Sequence, residues 1–200
     1  MKATSSWARS AYFFQRFVRD PGNVASICPS SRHLAGAMLR GLDFRADDVI
    51  VEYGPGTGAI TRVLRERLRP VPRVRYLGIE REAAFCKILQ ETMPELAFAN
   101  GSAEDVRQLL EEHGLPAPRF VISGLPLILM DSMEQIVETV ANVLPPGGCF
   151  HTFSYLHSYP MRSAKRLRSL MAHHFDRFEL SPLVVRNVPP AFVLRGVQVG

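Results

Sequence analysis

Three cysteines in 200 residues (Cys28, Cys86 and Cys149) are odd in number and widely spaced. They fit neither a disulfide framework nor a zinc site, so a reducing, cytoplasmic setting is expected. His151, His157, His173 and His174 lack metal-ligand spacing, and no metal is expected. No apolar run approaches the roughly 18–20 residues of a membrane-spanning helix. The first apolar cluster, Tyr12 to Phe14, is short, aromatic and flanked by arginines, unlike a secretory signal. Internal repeats and low-complexity linkers are also missing. With 46% hydrophobic and 22% charged residues, the chain is long enough and apolar enough for one soluble domain around a single large core.

Charge, by contrast, is present and uneven. Residues 1–40 hold six basic side chains (Lys2, Arg9, Arg16, Arg19, Arg32, Arg40) against one acid, Asp20. Basic and acidic residues balance in the remainder, so the whole formal excess of +5 sits in the first fifth. Such asymmetry points to a polyanionic partner, nucleic acid or an anionic membrane. Trp7, Ala11, Phe14 and Val18 recur on one helical face, with Phe13 and Phe17 beside them. Arginines fall mostly outside that stripe. An aromatic face opposed by arginines suits a helix lying in a lipid interface, or one capping its own domain. Stacking on RNA is less well served, because no second basic and aromatic surface of similar density follows.

The rest alternates short apolar runs with helical patterns. A helix is predicted over His33 to Leu42, with Ser30 or Ser31 as its cap. Strands are predicted at Val49–Val51, Val74–Ile79, Leu96–Ala99, Phe120–Ile122 and Cys149–Tyr155, then near Phe175–Val185 and Ala191–Val199. Helices fill the intervals, including a basic one over 161–173. This order predicts an α/β, Rossmann-like fold: a mostly parallel seven-stranded sheet flanked by helices, with an N-terminal amphipathic extension. The division expected is a basic, helical segment over 1–42 and a compact domain over 43–200.

The stretch that organises the chain is V-I-V-E-Y-G-P-G-T-G, Val49 to Gly58. Glycines after a buried strand let the backbone turn tightly and approach a ligand, and the following helix offers free N–H groups. The spacing G-x-G-x-G, with Glu52 before the glycines, suits a ligand bearing an ammonium better than a pyrophosphate. Glu80, closing the second strand, is placed to accept two ribose hydroxyls, the role an acid plays in nicotinamide dinucleotide sites. Turns at Ser102-Ala103 and at Ser123 to Leu127 follow the third and fourth strands, so four turns face one crevice.

V-E-Y-G-P-G-T-G with Glu80 resembles motif I and its partner in class I S-adenosylmethionine-dependent methyltransferases. Further elements narrow the resemblance: C-P-S-S-R-H-L-A (28–35), S-G-L-P-L (123–127), Tyr155 ending F-H-T-F-S-Y, and R-N-V-P-P-A (186–191). Together they resemble the bacterial soluble-type phospholipid N-methyltransferases, which methylate the amine of phosphatidylethanolamine on the cytoplasmic membrane face. The resemblance implies S-adenosylmethionine as cofactor, S-adenosylhomocysteine as product, a membrane phospholipid as substrate, and peripheral attachment to the inner face of the cytoplasmic membrane through residues 1–40. It places Glu52, Tyr53, Gly54, Gly56 and Gly58 around the methionine end of the cofactor. Glu80 and Arg81 fall at the ribose, and Ser102 and Ala103 at the adenine edge. Ser31, with Ser30, closes over the cofactor. Ser123, Leu125 and Pro126 form the wall between methyl group and acceptor amine, and Tyr155, with Tyr159 nearby, surrounds that amine.

Two departures stand out. The turn usually reading G-D-A is Gly101-Ser102-Ala103, which leaves Glu104 or Asp105 to supply the carboxylate. Ile128-Leu129-Met130 follows the fourth-strand motif and reshapes the acceptor pocket, leaving the exact lipid open. Three other readings remain: an ornithine-lipid N-methyltransferase, an rRNA adenine N6-dimethyltransferase, and a cofactor-binding membrane protein without catalysis. The rRNA enzymes favour N-L-P-Y where this chain has Ser123 and Leu127, so the amide and ring that hold a flipped base are missing.

Overall fold

The computed structural model describes residues 31–200. The aromatic helix expected over residues 5–19, Cys28 and Ser30 lie outside them. Seven strands form one sheet: β1 (Val49–Tyr53), β2 (Arg75–Glu80), β3 (Ala97–Asn100), β4 (Phe120–Ser123), β5 (Cys149–Tyr155), β6 (Arg177–Leu180) and β7 (Ala191–Val197). Their spatial order is β3-β2-β1-β4-β5-β7-β6. β1 pairs in parallel with both β2 and β4, whereas β7 runs antiparallel to β5 and β6. The chain winds outward in both directions from β1. The crevice at the carboxyl ends of β1 and β4 is therefore the topological switch point where such sheets bind ligands.

Among the described residues six α-helices cover the sheet: α1 (Arg32–Met38), α2 (Ala59–Leu68), α3 (Ala83–Thr92), α4 (Val106–Glu112), α5 (Met133–Val143) and α6 (Arg162–His174). Alternation along the strands divides the core. Ile50, Ile122 and Phe153 pack with Leu34 and Met38 of α1 and with Ile60 and Leu64 of α2. Val51, Val121 and Phe150 pack on the opposite face with Val106, Ile136, Val137 and Leu167 of α4 to α6. All five residues of β1 are buried, as expected of a parallel strand covered on both faces.

Three elements are shorter than the sequence pattern predicts, β7 among them, since it ends at Val197 rather than Val199. α1 ends at Met38 rather than continuing to Leu42, and Gly41 adopts φ 82° beyond its end. β6 stops at Leu180, because Pro182 has no N–H to extend the ladder. Beyond it Ser181 N–H donates to the Val193 carbonyl at 2.9 Å and an isolated bridge joins Val184 to Ala191. Among the described residues no helix is long and apolar enough to cross a membrane.

Candidate active site

The loop after β1 is held in one shape. Gly54, Gly56 and Gly58 have φ values of 64°, 55° and 79°, in the left-handed region. Other residues adopt that region at a cost of roughly 1–2 kcal/mol. A Cβ on Gly54 would also collide with the Leu125 side chain, and one on Gly124 would lie 2.9 Å from the Gly54 carbonyl oxygen. The glycine loop and the S-G-L-P turn thus lie against each other. Gly124 N–H donates to the Tyr53 carbonyl at 2.8 Å, and Leu125 N–H to Ser123 Oγ at 3.3 Å. This contact brings together two stretches that lie about seventy residues apart in sequence.

Glu80 stands at the end of β2, 7% exposed. Its Oε2 accepts from Gly56 N–H at 2.9 Å and its Oε1 from Glu82 N–H at 3.0 Å. A carboxylate offers about four acceptor directions. Two backbone donors orient the group and leave capacity for a diol. Burial raises its pKa, opposed by the N–H groups of Glu82 and Gly56. Asn100, at the end of β3, donates to the carbonyls of Glu80 (3.0 Å) and Arg81 (2.9 Å) and so fixes the strand end that carries Glu80. The sequence pattern does not single out Asn100; a polar residue closing an apolar strand is its only signal.

Ser102 lies within reach of the same rim. Its hydroxyl donates to the Glu104 carboxylate and accepts from Arg81 Nη2 at 3.1 Å. Burial pushes Glu104 upward, but the hydroxyls of Ser102 and Ser132, its own backbone N–H and the Arg81 charge outweigh this and hold it below the usual range. An ionised carboxylate therefore stands two residues beyond the position where the sequence puts serine. Ala103 is buried beside it.

Glu52 and Tyr53 lie beneath the loop, facing opposite sides of the sheet. Glu52 is fully buried, with Oε2 accepting from the Tyr76 hydroxyl at 2.7 Å and Oε1 from Thr61 Oγ1 at 3.1 Å. Desolvation raises its pKa to about 7 against those two donors. Gly78 makes room for this network, since a Cβ there would come 2.8 Å from the Tyr76 oxygen. A glycine inside an apolar strand was the available clue to close packing, but not to its partner. Tyr53 is also fully buried, and its hydroxyl has no hydrogen-bond partner among the described residues.

Ser31 caps α1, its Oγ accepting from Leu34 N–H at 3.2 Å and donating to Asn187 Oδ1 at 2.7 Å. Asn187 is 2% exposed and donates in turn to the Pro189 carbonyl. The N-V-P-P-A loop thus latches the start of α1. Tyr155 is half-buried at the end of β5, edge-on to Phe153 and stacked on His157 at 5.6 Å. Tyr159 already carries the Arg168 guanidinium of α6 over its ring, 3.9 Å from the centroid, so that face is occupied by a cation. His151 is buried, with Nδ1 2.6 Å from the Met38 carbonyl, and desolvation lowers its pKa to about 4. Among the described residues no cluster of His, Cys, Asp and Glu is arranged for a metal.

A rigid glycine turn, an oriented carboxylate for a diol, and a second ionised carboxylate for an amino edge form a donor set that fits S-adenosylmethionine. Comparisons with known proteins agree. No family model matches the chain. It is 31% identical over 195 residues to an ornithine lipid N-methyltransferase of Singulisphaera acidiphila, covering 93% of this chain and 95% of that protein. A ribosomal RNA small subunit methyltransferase A of Streptomyces griseus is 28% identical over 137 residues, 64% of this chain. The match spans 43% of that protein's length. Among solved structures, the magnesium protoporphyrin IX methyltransferase of Synechocystis PCC 6803 with bound S-adenosylmethionine superposes with a TM-score of 0.67 at 9% identity, over 99% of this chain and 100% of that one. The fold is shared with that enzyme, and the near full-length likeness to the first relative extends to sequence. The chain belongs to the S-adenosylmethionine-dependent methyltransferases, in the family of the Singulisphaera lipid enzyme, and S-adenosylmethionine is its cofactor.

Proposed function

We propose that this protein methylates the primary amine of a membrane lipid, an ornithine lipid or phosphatidylethanolamine. The observation that carries the reading is the likeness to an ornithine lipid N-methyltransferase along 93% of the chain. The S-G-L-P-L and N-V-P-P-A elements keep phosphatidylethanolamine as the other substrate. Both head groups present an amine a few atoms from an anion.

Bound cofactor supplies an electrophilic methyl group on a sulfonium. The chain's own residues then orient rather than activate, since in-line transfer to a neutral amine depends chiefly on geometry. Glu80 holds the ribose, Glu104 with Ser102 and Arg81 the adenine edge, and the glycine loop the methionine end. Glu52 shapes that loop from below. Leu125, seated on Gly54, and Pro126 wall the methyl group off from water, with Ser123 fixing their turn. An apolar wall disfavours the ammonium form of the entering amine and so promotes its deprotonation. The cofactor would give its methyl group to the amine and be left as S-adenosylhomocysteine, and Tyr155 would face the methylated ammonium. Residues 1–40 attach the protein to the anionic inner face of the cytoplasmic membrane, with 43–200 as the catalytic unit. Leu34, Ala35 and Met38 of that first segment are packed into the domain core.

Incubation with methyl-labelled S-adenosylmethionine and vesicles containing ornithine lipid, phosphatidylethanolamine or neither tests the reading. Label is expected in one of the two amines and not in control lipid. Glu80→Ala should lower cofactor affinity by about tenfold or more, as the diol loses its acceptor and two backbone donors lose their partner. Label in added rRNA and in no lipid would overturn the proposal.

A further inference from the structure

Beside the S-G-L-P turn lies a cavity of about 420 Å³ that none of the residues assigned to the cofactor lines. That volume falls within the range of small-molecule pockets, roughly 300–1,000 Å³. One wall is the 128–134 segment, with Leu129, Met130 and Asp131; the other is the first turns of α6, with Arg162 and Arg166. Leu129 is 55% exposed, so an apolar side chain borders the opening. Arg166 is already paired with Glu134 across the cavity. Neither Arg162 nor Asp131 forms an ion pair with any described residue, and both are exposed. The cavity therefore presents one uncompensated charge of each sign on facing walls, beside apolar surface. It adjoins the carboxyl ends of β4 and β5, the same edge as Leu125 and Tyr155.

We propose that this cavity receives the zwitterionic head group of the lipid, Arg162 taking its anion and Asp131 its ammonium, with Leu129 against the first carbons of the acyl chains. The proposal rests on the lipid-amine reading and deepens it. The chemistry is shared by two sources, a carboxylate in an amino-acid lipid and a phosphodiester in a glycerolipid. A guanidinium fork binds either anion, so it orients the head group without choosing the lipid by itself. Holding the anion on α6 leaves the amine, a few atoms away, to swing toward the wall at Leu125 once it has lost its proton.

The test compares Arg162→Gln, Asp131→Asn and Lys165→Gln with the unaltered protein on vesicles containing ornithine lipid or phosphatidylethanolamine. Lys165 is exposed on α6 outside the cavity, so its variant removes the same charge from the same helix. Arg162→Gln is expected to raise the KM for lipid about tenfold and Asp131→Asn several-fold. The kcat and the Kd for S-adenosylhomocysteine should not move, and Lys165→Gln should shift KM less than twofold. Sensitivity with both lipids, or with one alone, supports the site and says which anion it takes. Equal effects of Arg162→Gln and Lys165→Gln would mean general attraction to the bilayer and overturn the proposal, as would no effect of either. If the unaltered protein methylated neither lipid, the functional reading would fail separately. Co-sedimentation of the S-adenosylhomocysteine-loaded protein with the same vesicles would still decide whether Arg162 binds the head group, an unchanged bound fraction overturning the site.

Discussion

The two halves of the sheet's carboxyl edge are built differently. On the β1–β2–β3 side, Glu80, Asn100, Ser102 and Glu104 are each tied to backbone or to one another. On the β4–β5 side the walls are Leu125, Pro126, Leu129 and Tyr155, and the charges of Arg162 and Asp131 have no partner within the described chain. A cofactor that never changes rewards a preorganised polar frame, whose ordering cost is met during folding. The lipid acceptor proposed above would instead meet apolar surface and open charges. The two departures from the family pattern divide between these sides, Ser102 on the first, where its hydroxyl is tied to Glu104, and Ile128 to Met130 on the second.

The largest expected effect breaks the link between the halves. Gly54→Ala places a methyl into the Leu125 side chain at a left-handed φ. Strain and overpacking together cost about 3 kcal/mol, so S-adenosylhomocysteine affinity should fall roughly a hundredfold in calorimetry. Binding within threefold of the original would show that the turn over the loop yields freely.

Next comes the buried base of the cofactor half. Glu52 has a folded-state pKa of about 7 against 4.5 for the free side chain. Its contribution to stability is therefore full below pH 4.5 and lost as pH rises toward 7, by on the order of 3 kcal/mol. Glu52→Gln should flatten that slope in urea melts taken from pH 4.5 to 8, leaving the variant relatively more stable at pH 8. Glu80 titrates in the same sense but is present in both proteins, so the difference isolates Glu52. Parallel pH profiles would assign the slope elsewhere.

The smallest effect concerns the latch. Asn187→Ala removes the acceptor of the Ser31 N–H and hydroxyl. A loss of about 1–2 kcal/mol and a melting temperature lower by a few degrees are expected, with cofactor affinity changed less than threefold. A large loss of affinity would instead place α1 directly over the cofactor.

Much of this fold was legible in residue order. Apolar runs marked β1 to β5 because strands buried on both faces have no other composition open to them. β5 matches its predicted bounds to the residue. β6 was overestimated because an apolar pattern does not reveal where Pro182 ends a ladder. Gly54, Gly56, Gly58 and Glu80 were visible as turn and strand-end residues. Tyr76, Thr61 and Asn100 were not, nor was the partner of Asn187 within R-N-V-P-P-A, since each acts on a residue 9 to 156 positions away whose place depends on the packed fold.

By itself, residue order determined the alternating α/β chain, the turn after β1, the acids at two strand ends and the cofactor class. The first three follow from local periodicity and from glycine's access to conformations closed to other residues; the cofactor class came from the family resemblance that the motifs carry. The tertiary structure alone decided that Leu125 sits on Gly54, that Glu52 is buried under the loop, and that the Ser102 hydroxyl donates to Glu104. It also decided that Arg162 and Asp131 face one cavity. Distance, burial and pairing belong to the packed sheet, where strands far apart in sequence lie side by side.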